Sequence, residues 1–313
     1  MNPYTTSSYG HSRATFTQPA RDRGRQPKLA DFHHNPTQQK DQFIVAYISN
    51  LDQPHAVLSY AYYLSQMLKK GLILMHISDP RYTRLSPSDA ELRLQQLRGT
   101  LSADADITYV ALKGKTREVV EKLPVLIGAV ALVCHVDAKA HRRHPQHARE
   151  LLRNFKGCKV AYLTVQEPIR SPQQLQNVAL AVEFKKETKE KFIWASYFAR
   201  FNHSAVHALH YDYKDEILRR KWFDNMNFLH KLFSALEIGF TPHVIPDKST
   251  FEDINALRYC AEHHYDLLVS VTTDERDPLE FFIGTQEQHT IVNSQHIPIL
   301  FLNPREDLYV ICD

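Results

Sequence analysis

The chemically suggestive side chains crowd into one run, Asp-Ala-Lys-Ala-His-Arg-Arg-His-Pro-Gln-His over residues 137–147. It places Lys139, Arg142, Arg143 and His144 together after an apolar stretch. Two readings stand for these four residues: an anion site built from side-chain cations, or a solvated basic loop favoured beside the carboxyl end of a strand. The histidines at 141, 144 and 147 have a regular spacing that suggests metal. Pro145 interrupts their convergence and no acidic or thiol ligand stands alongside, so no metal site is expected. The pairs His33-His34 and His263-His264 are weaker still. No serine elbow, Walker A loop or pyrophosphatase-type glycine loop occurs, and the expectation is that the chain is not an enzyme. Cys134, Cys158, Cys260 and Cys312 form no CxxC pair, which argues against both a disulfide framework and a zinc site.

Apolar segments alternating with amphipathic ones must position whatever chemistry there is. FIVAYIS, LILMHISD, ITYVAL, ALVCHVD and KVAYLT read as strands of a first half. VALAVEF, AVHALHYD, FTPHVIP, LLVSVTTD and PILFLN read as those of a second. Matching Ile44 with Ala179, His76 with His210, Leu132 with Leu268 and Val160 with Ile299 gives offsets of 135, 134, 136 and 139. A period this long points to a duplicated domain, since solenoid repeats recur every 20 to 50 residues or so. Strand–helix alternation predicts parallel sheets covered on both faces, hence two tandem Rossmann-like, doubly wound α/β domains of five strands each. Asp52 is expected to cap the helix after the first strand, with Gly71 ending it. Ser86, Pro87 and Asp89 form a capping box for the next helix.

The expected boundaries are a basic, disordered tail at 1–41, a first domain at 42–166, a linker at 167–176, a second domain at 177–304 and a carboxyl-terminal tail at 305–313. Net charge is +3 overall but +4 within residues 1–40, so the remainder carries −1. That balance gives the folded body no nucleic-acid signature and leaves such contacts to the tail. With no apolar run of about 20 residues and no secretory pattern, the chain is expected to be cytoplasmic and off the membrane.

The segment HISDP after strand and helix, together with SQHIPILFLN at the end, resembles the universal stress proteins, of the nucleotide-binding α/β superfamily shared with electron-transfer flavoproteins. Residues 177–304 carry the closer resemblance. It implies an acid near the end of strand one and a loop G-x2-G-x9-G-[ST] whose backbone amides hold ATP phosphates. Gly284-Thr285 matches the closing pair. The resemblance puts Val271 and Asp274 where the two earlier glycines belong and Glu183 where the acid belongs. In the first half Ile48 takes the acid's place. Carboxylates near a triphosphate repel it by about 4 kcal/mol at 4 Å and an effective dielectric near 20. The nucleotide site is therefore expected to be vestigial and no cofactor is expected, the alternative being ATP.

The resulting expectation is a non-catalytic stress-response factor acting through protein contacts or weak anion sensing. Two alternatives are an adenine-nucleotide-responsive switch and an RNA- or ribosome-associated factor using the basic tail. The resemblance further implies that the fifth strands of the two halves pair antiparallel as an intramolecular pseudo-dimer. The apolar Leu308, Tyr309, Val310 and Ile311 suggest docking of the carboxyl-terminal tail on this chain or on a second copy in a homodimer.

Overall fold

The structure, a computed structural model, describes residues 15–16, 42–101, 106–137, 146–167, 175–185, 188–245, 252–272 and 290–303. In the first half the elements are β1 (Thr15–Phe16), β2 (Phe43–Tyr47), α1 (His55–Leu68), β3 (Gly71–Ser78), α2 (Pro87–Gly99), β4 (Ile107–Lys113), α3 (Thr116–Val120), α4 (Leu123–Ile127), β5 (Ala129–His135), α5 (Gln146–Phe155) and β6 (Ala161–Val165). The second half has β7 (Asn177–Ala181), α6 (Thr188–Asn202), β8 (Ala205–Tyr211), α7 (Glu216–Ala235), β9 (Thr241–Ile245), α8 (Glu252–Glu262), β10 (Leu267–Val271) and β11 (Ile299–Leu302).

Among the described residues all the strands join one sheet in the order β1-β4-β3-β2-β5-β6-β11-β10-β7-β8-β9. Read outward from the centre, the first half runs β6, β5, β2, β3, β4, all parallel, with β1 antiparallel at the outer edge, and the second runs β11, β10, β7, β8, β9, all parallel. The strands β2 and β7 are buried along their apolar stretches, which is why FIVAY and VALA read as continuous apolar runs rather than as alternations. Side chains still alternate between faces. Ile44 and Ala46 join Leu64, Leu94, Phe192 and Leu229 in one core layer, while Phe43, Val45 and Tyr47 join Val120, Phe155, Ala256 and Phe301 in the other. Both layers run from one half into the next.

The halves meet where β6 and β11 pair antiparallel, Thr164 opposite Ile299 and Tyr162 opposite Phe301. Tyr162 and Phe301 stack with ring centroids 5.4 Å apart, and the Asn303 amide donates to the carbonyls of Phe155 and Cys158 at 2.7 and 2.8 Å. Pairing these two strands removes two open edges from the middle of the molecule. Tyr63 of α1 also donates to Asn202 of α6 across the junction.

The capping residues follow expectation in part. Ser86 accepts from the Asp89 N–H at 3.1 Å, as the capping box predicts. Asp52 does not cap α1: the cap is Pro54, without a side-chain bond, and Asp52 instead takes the Arg93 guanidinium at 2.8 Å. The Asn50 side chain accepts the Asp52 N–H at 3.0 Å, turning the chain before the helix begins. Lys69, at φ 52°, closes α1 in place of Gly71. Gly71 opens β3, where an added Cβ would lie 2.6 Å from the Phe43 ring. From the segment expected to be disordered, Thr15–Phe16 pair with Leu112 and Lys113 of β4. Among the described residues no helix is long and apolar enough to cross a membrane.

Candidate functional site

Backbone hydrogen bonds fix which residues of the two halves correspond. Ile48 N–H donates to Met75 at 2.8 Å and Val182 N–H donates to Leu209 at 2.7 Å, just beyond the first strand of each half. Val136 donates to Val165 and Thr272 to Leu302, both at 2.8 Å, just beyond the fourth. Ile48 therefore corresponds to Val182, and the counterpart of Glu183 is Ser49. This corrects the sequence alignment by one residue: Ile48 is a core side chain, 1% exposed, and cannot line a site.

Strand order reverses between β2 and β5, the place where open α/β sheets bind ligands. At their carboxyl ends the first half has a pocket of about 260 Å³. Ser49, Asn50, Thr116, His135, Asp137 and Glu150 supply polar lining, and Tyr47, Ile77 and Phe155 supply apolar surface. Burial raises the Tyr47 pKa to about 12, so its phenol stays protonated.

Asp79, 1% exposed at the end of β3, ties down the pocket's surroundings. It accepts the Thr116 N–H at 2.7 Å and the Thr116 hydroxyl at 3.1 Å, at the start of α3. It also accepts the Arg81 backbone N–H and Nε, both at 3.0 Å, and Arg81 Nη2 at 2.6 Å. Burial alone would raise the Asp79 pKa, but the Arg81 and Thr116 donors outweigh it and lower the value to about 2. Gly114, at φ 151°, makes the turn that brings Thr116 to Asp79. Nearby, the Tyr82 hydroxyl donates to Glu150 at 2.7 Å and accepts from Asn154 at 3.2 Å, joining the β3–α2 loop to α5.

In the second half the described residues around Glu183 are tied to one another. Glu183 accepts from Lys191 Nζ at 2.7 Å, and the side chains are 10% and 0% exposed. The Asn225 amide of α7 donates to the carbonyls of Glu183 and Lys185 at 2.7 and 2.9 Å, pinning the loop that carries the acid. With its carboxylate engaged by an internal cation, Glu183 is committed to the fold. Val271 is the last residue of β10, paired with Leu302 inside the sheet, so its backbone lies in the ladder and not in a phosphate-binding loop.

Asp274, Gly284 and Thr285 lie outside the described residues, as do Lys139, Arg142, Arg143 and His144 of the proposed anion site. Sequence reasoning missed Asp79, Arg81 and Ser49. The signals for the first two were the HISDPR turn and the Gly114-Lys115-Thr116 turn. Among the described residues no group of three His, Cys, Asp or Glu side chains could hold a metal ion.

Solved structures with the same architecture decide the fold. A universal stress protein from Archaeoglobus fulgidus matches with a TM-score of 0.60 at 10% identity, covering 85% of this chain and 97% of its own. The fold is that of the universal stress proteins. A functionally unknown protein from Pseudomonas aeruginosa aligns with a TM-score of 0.59 at 12% identity, covering 87% of this chain and 96% of its own. No protein-family model matches the sequence, and no curated protein matches it either. At such identities the universal-stress fold is what the chain shares with these proteins. Its site residues must be judged on their own geometry.

Proposed function

We propose that this chain is a non-catalytic, universal-stress-like factor of the stress response that acts through protein contacts, with one half closed to nucleotide and the other keeping a small polar pocket. The buried Glu183–Lys191 pair carries the reading. Turning Glu183 toward a ligand means breaking a buried ion pair, at a cost of about 3–5 kcal/mol. The first-half pocket lacks an acid at the matching position, Ser49, and its described lining holds Asp137 and Glu150 but no lysine or arginine. Lys139, Arg142, Arg143 and His144 come within seven residues of Asp137 in the sequence and lie outside the described residues, so an anion site made with them stays part of the proposal.

One observation favours a second reading, an adenine-nucleotide-responsive switch: the pocket lies at the strand-order reversal. The test is calorimetric titration of the intact chain with Mg-ATP, beside an assay of nucleotide released on denaturation. The scaffold reading expects neither released nucleotide nor saturable heat at micromolar concentration. One ATP per chain, lost on Ser49→Trp, would establish the switch. Two per chain would overturn both readings.

A further inference from the structure

Between the two halves, beside α6, lies an open groove of about 380 Å³. Ala129, Val130 and Val160, at the starts of β5 and β6, form its strand side, and Ile193 and Trp194 of α6 form its helix side. Leu302 and Asn303, the last described residues, also line it. Ile193 is 43% exposed although its neighbour Phe192 is fully buried. Ile193 stands beside the half-buried Trp194, and with Val130 and Val160 they give the groove an apolar wall.

The opposite side of the junction shows how the fold treats the same position. Val165 and Leu302 hold matching places in their halves, so Gln166 corresponds to Asn303. Beyond Gln166 the chain returns at Leu175, which is fully buried in the core layer shared by α1 and α6. The Leu175 carbonyl accepts from Asn202 and Ser204, both at 2.7 Å. Beyond Asn303 the sequence reads PREDLYVICD, with an acidic pair, Glu306 and Asp307, ahead of Leu308, Tyr309, Val310 and Ile311. Lys159 and Glu190 both line the groove, so its charges are of both signs and the match to the segment rests on the apolar wall and the exit of the chain at Asn303. Reach is sufficient: an extended chain covers about 3.3 Å per residue, and neighbouring strands lie about 4.8 Å apart.

We propose that residues 306–311 of this chain dock in this groove, laying the apolar 308–311 stretch against Ile193, Trp194 and Val130. The segment thereby covers the junction of the halves on the side opposite Leu175. This inference is independent of the ligand reading above.

Trp194 and Trp222 are the two tryptophans of the chain, so Trp222→Phe leaves Trp194 as reporter inside the groove. Acrylamide quenching and emission wavelength are measured for the full chain carrying W222F, for the same chain truncated after Arg305, and for full-length W222F with Ile311→Asp. Docking predicts a red shift and stronger quenching in both altered chains, with far-UV circular dichroism unchanged and the protected signal restored by a peptide of residues 304–313. If truncation disturbs the fold, the Ile311→Asp chain decides alone. Identical Trp194 signals in the full and altered chains overturn the proposal. So does protection that is lost on dilution, which would assign the segment to a second copy.

Discussion

Removing Lys191 tests whether Glu183 is committed to the fold. Lys191 is fully enclosed and Glu183 keeps 10% side-chain exposure, with 2.7 Å between the charged atoms. In Lys191→Met the stranded carboxylate can draw some water through its exposed part, so the cost falls near the lower end for a broken buried pair, about 3 kcal/mol. In Glu183→Leu the fully enclosed ammonium loses this carboxylate with no exposed part of its own to hydrate, and the cost lies in the range of about 3–5 kcal/mol. The double variant strands neither charge and should lie within about 1 kcal/mol of the natural chain, since well-packed apolar replacements of buried pairs are commonly neutral. At about 2 °C per kcal/mol for a chain of this size, the single variants lower Tm by roughly 6–10 °C. Urea unfolding followed by circular dichroism and tryptophan fluorescence completes the cycle. A Lys191→Met cost below about 1 kcal/mol, or additive single and double costs, would refute the reasoning: the pair would not be closed and Glu183 would be free to meet a ligand.

Asp79→Ala should cost about 3 kcal/mol, because the Thr116 N–H and the Arg81 donors lose their shared acceptor; equilibrium unfolding reads it. Since the folded pKa of Asp79 is lowered from 3.8 to about 2, its stabilisation is complete above pH 4 and lost as pH falls through 2. An acid titration of natural and D79A chains should show their stability gap narrowing only in that window. His76 is buried, donates Nδ1–H to the Ile48 carbonyl at 2.8 Å and has no partner at Nε2, and burial lowers its pKa. A lowered histidine pKa gives stability that is present above the unfolded value near 6.5 and lost as pH falls below it. The Tm drop between pH 7.5 and 5.5 should therefore shrink in His76→Gln, as thermal melts at the two pH values will show. Phe301→Ala empties a fully buried site stacked on Tyr162 and should cost about 3–5 kcal/mol, measured by urea unfolding.

The strands were legible because parallel strands buried on both faces are predominantly apolar, and FIVAY, LILMHIS and LLVSV are such runs. The same uniformity hid their phase. A continuous apolar run carries no alternation to mark which residue leaves the sheet first, so Ile48 was matched with Glu183 until the Ile48–Met75 and Val182–Leu209 hydrogen bonds set Ser49 there. Val271 is set at a loop glycine's place only by counting back from Gly284 under the resemblance, and its pairing with Leu302 shows that it ends β10 instead. Contacts between distant residues were also beyond reach. Asp79 and Thr116 are 37 positions apart, and nothing local tells a clamping aspartate from an exposed one. Lys191 lies one turn into α6, where a lysine ordinarily faces water. Its complete burial follows from Glu183 opposite it, a pairing visible only once the helix is packed.

Calorimetric titration of the intact chain with Mg-ATP, after the purified protein has been denatured and checked for released nucleotide, tests the central claim most directly. A second half closed by the Glu183–Lys191 pair and a first half lacking the matching acid predict no carried nucleotide and no saturable heat at micromolar concentration. Saturable binding that survives Ser49→Trp but is lost in Glu183→Leu/Lys191→Met would place ATP at the half described as closed and contradict the account.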